Sequence, residues 1–199
     1  MIDAHFAILG ALIVVTGNAA YAVDTVRGKT QPNRVTWMLW ALAPMIAFAA
    51  EVAQGVGLNA VLTLAVGIGP LLVVAASFLD PKAYARVTPF DAGCGVLSLI
   101  ALVAWAATGR GNLAILLSVL ADFLAAMPTI RKAYRYPHTE HAAAFLSGVA
   151  GAAITLLTIP AEDWGFATVA FPAYILLDSG LIACLILLPR AARPAVSGD

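Results

Sequence analysis

The chain has 199 residues, of which 62% are hydrophobic and 11% charged, and its mean hydropathy of +0.92 lies well outside the range of soluble domains. Eleven basic and eleven acidic residues cancel, so no basic field exists to hold nucleic acid and no charged block to solvate a disordered tail. A bilayer is the partner that such a composition demands.

Seven apolar runs follow one another between charges and turn residues, at 6–23, 35–54, 57–79, 91–108, 113–129, 142–160 and 165–188. At 1.5 Å per residue each is long enough to cross about 30 Å of hydrocarbon, the shorter ones with little tilt. Backbone groups in that layer must pair within their own segment, and runs rich in Ala and Leu without alternation make helices rather than barrel strands. The first run ends in Ala19-Ala20-Tyr21-Ala22, which resembles a signal-peptidase site. Residues 1–5 contain Asp3 and His5 but no Lys or Arg, so the basic leader segment is missing and the run reads as a retained helix. Pro44, Pro70, Pro128 and Pro172 interrupt the second, third, fifth and seventh runs and are hinge or gate candidates, with Gly67-Ile68-Gly69-Pro70 the softest stretch. Cys94 and Cys184 lie inside apolar runs and read as small packing residues. In the sixth run, Gly148-Val149-Ala150-Gly151-Ala152 is a small-residue stripe suited to close helix contact.

Basic residues orient the array. Arg27, Lys29 and Arg34 fall between the first two runs, Lys82 and Arg86 between the third and fourth, Arg131, Lys132 and Arg135 between the fifth and sixth, and Arg190 and Arg193 in the tail. Arg110 alone falls on the opposite face, so the N-terminus is expected outside and the C-terminus in the cytoplasm of a cell membrane of the bacterial inner-membrane type. Glu51, Glu162 and Asp163 are expected on the outer face, with Trp164 as an interfacial anchor.

The first and fifth runs share a pattern: Asn18, Thr25 and Arg27 in one, Asp122, Thr129 and Arg131 in the other, with identical spacings. Each is followed by a basic loop with a proline, Pro32 or Pro137, and then by an aromatic, Trp40 or Phe145, once one loop residue is inserted. The third run ends in Asp80-Pro81-Lys82 and the seventh in Leu188-Pro189-Arg190, which sets Pro70 opposite Asp178. Runs one to three therefore match runs five to seven, and the unpaired fourth lets both triplets enter from the same side. The expected all-α fold is seven transmembrane helices in a 3+1+3 arrangement: a triple-helix bundle in 1–88, a linker helix in 89–111 and a second bundle with a short tail in 112–199. Parallel repeats of this kind are a transporter architecture, with the substrate site near the midplane between the halves.

The stretch Ala126-Met127-Pro128-Thr129-Ile130-Arg131-Lys132-Ala133-Tyr134-Arg135, followed by Phe145-Leu146-Ser147-Gly148, resembles the PQ-loop motif of the superfamily that holds the SWEET sugar transporters and the cystine transporter. The resemblance implies two triple-helix bundles joined by a linker helix, with the N-terminus outside. The signature Pro-Gln pair is Pro128-Thr129 in the second copy and Asp24-Thr25 in the first.

An acid at the centre of a membrane helix costs about 2.5–3.5 kcal/mol on insertion scales and is a functional candidate by default. Asp122 and Asp178 are two such acids. With Asn18 they fall roughly 13–17 Å from the cytoplasmic end of their helices, one layer near the midplane. Helical spacing adds Ser118 and Tyr174, four residues before the two acids, and Tyr21, three after Asn18. These six residues are the expected solute and proton pathway, with Asp122 or Asp178 coupling proton movement to transport. The bland alternative is that the acids lock helices together by hydrogen bonds.

A retinal protein needs a lysine within its last helix, whereas Lys29, Lys82 and Lys132 all lie at loops or helix ends. His138 and His141 flank Glu140 in a loop, and no metal site, cofactor motif or catalytic nucleophile is expected. Two readings stay open: a transporter of a small polar solute by alternating access, and a non-transporting receptor or structural partner on the same fold, as in the KDEL-receptor branch of this group. Transport needs a cavity that opens to both sides, and a receptor needs a site on one.

Overall fold

The computed structural model of the protein describes residues 2–79, 85–108 and 111–188. Lys82, Arg110, Arg190, Arg193 and both of the Pro81 and Pro189 helix-end motifs lie outside the described residues in whole or part. The described chain is all α: α1 Phe6–Val26, α2 Arg34–Ala53, α3 Val61–Ser77, α4 Pro89–Thr108, α5 Gly111–Arg135, α6 Ala142–Thr158 and α7 Phe166–Leu187. Short 3-10 turns at Gly57–Ala60, Pro137–Thr139 and Ala161–Asp163 lead into the next helices or close the loops. Among the described residues, five segments are long and apolar enough to cross a membrane: α1, α2, Gly57–Ser77, Asn112–Arg135 and α7. The apolar helix α6 is shorter, at 17 residues.

Local chemistry sets the ends. Past α1, Gly28 adopts φ +69°, the left-handed turn that glycine takes without strain, and Lys29 N–H closes back on the Asp24 carbonyl at 2.9 Å. The Asn33 side chain then caps α2, accepting from Val35 N–H at 3.0 Å and Thr36 N–H at 3.3 Å. At α4 the Thr88 hydroxyl accepts from Asp91 N–H and the Asp91 carboxylate accepts from Thr88 N–H, a reciprocal cap with Pro89 at the first helical position. Helix α5 runs six residues past its expected end at 129. Pro128 forfeits one backbone bond, but Thr129 and Ala133 beyond it are fully buried, and Lys132 and Arg135 complement the negative end of the helix. The residue before Pro137 is disfavoured in helical conformation, which stops the helix at Arg135.

Loop contacts fix which ends share a face. Gln31 N–H donates to the Thr139 carbonyl at 3.1 Å and Ala85 N–H to the Pro32 carbonyl at 3.1 Å. Lys132 donates to the Gln31 carbonyl, and Arg34 reaches Ser77 at the end of α3. The start of α2, α4 and α6 and the end of α1, α3 and α5 therefore lie together at one basic face. At the other face Thr158 donates to Asn59 at 2.7 Å, and Ile2 N–H to the Leu157 carbonyl at 3.2 Å.

Within the array α3 packs between α1 and α2, and α7 packs between α5 and α6. The two sets meet along α1 with α6 and α2 with α5, and α4 lies mainly on α5. The contact of α1 with α6 is backbone on backbone. A Cβ on Gly151 would sit 2.8 Å from the Gly10 carbonyl oxygen, and one on Gly10 would sit 2.9 Å from that of Gly151. Gly151→Val is expected to force the helices apart and lower stability by about 1–3 kcal/mol, seen as a fall in Tm of the detergent-purified protein. An unchanged Tm would mean that α1 and α6 do not approach this closely.

Candidate functional site

A cavity of about 50 Å³ lies among the helices, walled by Asn18 of α1, Trp40 of α2, Pro70 of α3, Asp122 of α5, Phe145 of α6 and Asp178 of α7. These six residues form the three pairs matched in the sequence: Asn18 with Asp122, Trp40 with Phe145, and Pro70 with Asp178. Among the described residues α4 contributes nothing to the wall. A water needs about 10–15 Å³ by this measure, so the space suits a few waters, and a larger solute needs the helices to move.

Asp122 and Asp178 are buried, at 1% and 8% exposure. Tyr174 Oη donates to Asp122 Oδ2 at 2.6 Å, and Trp40 Nε1 donates to the Asp122 backbone carbonyl at 3.3 Å. Ser98 on α4 donates to the neighbouring Ala121 carbonyl, which holds α4 against the helix that bears the acid. Asp122 Oδ1, Asp178 Oδ1 and Trp37 Nε1 are buried with no hydrogen-bond partner among the described residues, and all three residues line the cavity. Among the described residues no cation pairs with either acid. The wall thus carries two carboxyls, with Asn18 and Ser179 as further polar groups among apolar and aromatic side chains.

Asn18 sits against α3, where a Cβ on Gly69 would come within 2.8 Å of its carboxamide, and its Nδ2 donates to the Val14 carbonyl at 2.9 Å. Gly67 likewise faces Met45, so the Gly67 to Pro70 stretch is a close-packed part of a continuous helix. Pro44, Pro128 and Pro172 are also buried within helices. Ser118 is buried with an unpartnered hydroxyl, one turn from Asp122 and off the cavity wall.

The structure takes Tyr21 away from the cavity. Its ring packs 4.7 Å from Trp37, which meets Trp40 at 5.3 Å, which meets Phe145 at 6.2 Å. This aromatic column leads from the cavity toward the basic face. At its end Tyr21 Oη donates to Glu140 Oε2 at 2.7 Å, and Lys132 Nζ pairs with Glu140 Oε1 at 2.8 Å. Glu140 has a fully buried side chain and that of Lys132 is 12% exposed. Since Lys132 also holds the Gln31 carbonyl, the four residues bind the α1–α2 loop to the α5–α6 loop directly below the cavity. The sequence signalled Glu140 and Lys132 only as loop charges, because Tyr21 and Gln31, which complete the lock, lie more than a hundred residues from the partners they meet.

Glu162 and Asp163 are exposed. Glu51, expected with them on the outer face, lies near the end of α2 away from the basic face. It is 1% exposed, and its Oε2 has no partner among the described residues, because it falls on the face of α2 that carries Ala43, Ala47 and Ala50 inward. One placement differs from the sequence expectation: Cys184, expected to pack inside the array, is exposed, whereas Cys94 is buried.

No family model, curated protein or solved structure matches this chain.

Proposed function

We propose that the protein is an integral membrane transporter that moves a small polar or zwitterionic solute by alternating access, with proton coupling through Asp122 and Asp178. The observation that carries this reading is the central cavity, to which α1, α2, α3, α5, α6 and α7 each bring one member of a sequence-matched pair. Its two carboxyls with unpartnered oxygens and the Asn18 and Ser179 side chains suit a solute bearing both donors and acceptors, the few polar contacts in a largely apolar wall that small-molecule sites use.

The 3+1+3 arrangement belongs to the same reading. It is supported by the packing of α3 between α1 and α2 and of α7 between α5 and α6, with α4 set to one side on α5. The resemblance of residues 126–148 to the PQ-loop motif points the same way. With the basic face in the cytoplasm, as the distribution of Lys and Arg argues, the N-terminus lies outside. Transport then consists of rocking one bundle against the other about the contacts of α1 with α6 and α2 with α5, and the Tyr21–Glu140–Lys132–Gln31 lock closes the cytoplasmic side. Pro44, Pro70, Pro128 and Pro172 sit where each rocking helix lacks one backbone hydrogen bond.

Reconstitution in liposomes tests the proposal. Pooled sugars, amino acids and vitamins are offered to vesicles with and without the protein, and internal pH and solute content are followed. Solute entry accompanied by acidification is expected for one pool, and no entry from any pool would move the assignment to a receptor or structural partner.

A further inference from the structure

A second recess opens at the basic face, outside the transport site. It measures about 530 Å³ and is bounded by the α1–α2 loop, the segment entering α4 and the last turns of α5. Three arginines line it: Arg86 from the segment before α4, and Arg131 and Arg135 from α5. His138 lines it as well.

None of the three arginines is ion-paired among the described residues. Lys132, by contrast, is consumed by Glu140 and the Gln31 carbonyl. The acid on the wall, Asp91, is turned into the cap of α4 and accepts from Thr88 N–H at 2.8 Å. Arg131 and Arg135 are one helical turn apart and project from the same face of α5, an arrangement of like charges that repels unless an anion lies between them. The guanidinium of Arg131 lies over the Phe90 ring at 5.2 Å, a cation–π contact that helps to hold the side chain in place. Orientation in a membrane asks only that basic residues be on one side; it does not ask them to gather on one recess. Planar guanidinium forks match the oxygens of a phosphate group, to which arginine binds in bidentate fashion.

We infer that the recess formed by Arg86, Arg131 and Arg135 is a binding site for a phosphate group, carried by a soluble phosphate compound or by the headgroup of an anionic phospholipid. The site stands independently of the transport reading, since it is defined by binding alone.

The full-length protein in neutral detergent is titrated with inorganic phosphate, with dihexanoyl phosphatidylglycerol and with dihexanoyl phosphatidylcholine, and binding is followed by native mass spectrometry and thermal shift. Saturable binding of phosphate, of phosphatidylglycerol or of both is expected, with phosphatidylcholine failing to saturate. Saturation by inorganic phosphate identifies a site for soluble phosphates, and saturation by phosphatidylglycerol alone identifies a headgroup site. The triple variant Arg86→Gln/Arg131→Gln/Arg135→Gln is expected to bind about tenfold more weakly or worse. Arg86→Gln and Arg135→Gln alone are expected to weaken binding to a lesser degree, and serve if the triple variant does not fold. Equal binding of the two lipids, no saturation by phosphate or phosphatidylglycerol, or wild-type affinity in the glutamine variants would overturn the inference.

Discussion

Asp122→Asn is expected to cut solute-dependent proton flux in liposomes by about two orders of magnitude, the scale of a lost proton-transfer group, while the protein stays folded. Asparagine keeps the shape of the side chain and an oxygen to accept from Tyr174, whose hydroxyl lies 2.6 Å from the acid, but it cannot take up and release a proton. The change therefore isolates proton chemistry from packing. Asp178→Asn on the opposite wall tests the second acid in the same assay, and Tyr174→Phe tests the hydrogen bond without touching either carboxyl. Loss of flux in an acid variant with Tm within a few degrees of wild type would assign the coupling group. Undiminished coupled flux in both acid variants would reduce the acids to helix-locking residues and place the coupling on another group, whereas solute entry without proton flux in the wild type would leave a facilitator.

Lys132→Met is expected to destabilise the protein by about 3–5 kcal/mol, because it leaves the Glu140 carboxylate buried without its countercharge. The Glu140 side chain is fully buried and that of Lys132 nearly so, so solvent screening offers little relief. Glu140→Gln should cost less, as the amide oxygen can still accept from Tyr21, although Lys132 then loses its ion pair. In the double variant Lys132→Met/Glu140→Gln neither charge remains, and part of the loss should return. Thermal unfolding of the four proteins gives the coupling energy, expected at about 1–3 kcal/mol. Strictly additive losses would show that the two residues act separately and that no lock joins the loops.

The helices were legible because the bilayer enforces a simple rule: every span must be long, apolar and internally bonded. Observed helices and expected runs differ by a few residues except at α5. There the basic stretch after Pro128 reads as loop by charge, yet continues as helix because Thr129 and Ala133 are buried and the cations suit the helix end. Of the six pathway candidates, Asn18, Asp122 and Asp178 line one space, joined by Trp40, Pro70 and Phe145, which the sequence marked only as repeat positions or a hinge. Tyr21 was misplaced for a geometric reason. Three residues along a helix return to nearly the same face but not to the same neighbour, and the pull of Glu140 decides where the phenol goes. The burial of Glu51 carried no signal, since it depends on which helices cover that end of α2. The pairing of Lys132 with Glu140 was equally silent, as it depends on a loop closing over the helix end.

Alternating access of the central cavity is the claim on which the account turns, and thiol labelling from each side of the membrane tests it most directly. In a Cys94→Ala/Cys184→Ala background, Ser179→Cys places a single thiol on the cavity wall, and a membrane-impermeant maleimide is applied to right-side-out and to inside-out vesicles. Labelling is expected from both sides, and faster from the basic side when Glu140→Gln loosens the lock. Labelling confined to one side under all conditions, Glu140→Gln included, would contradict alternating access and leave a one-sided receptor site.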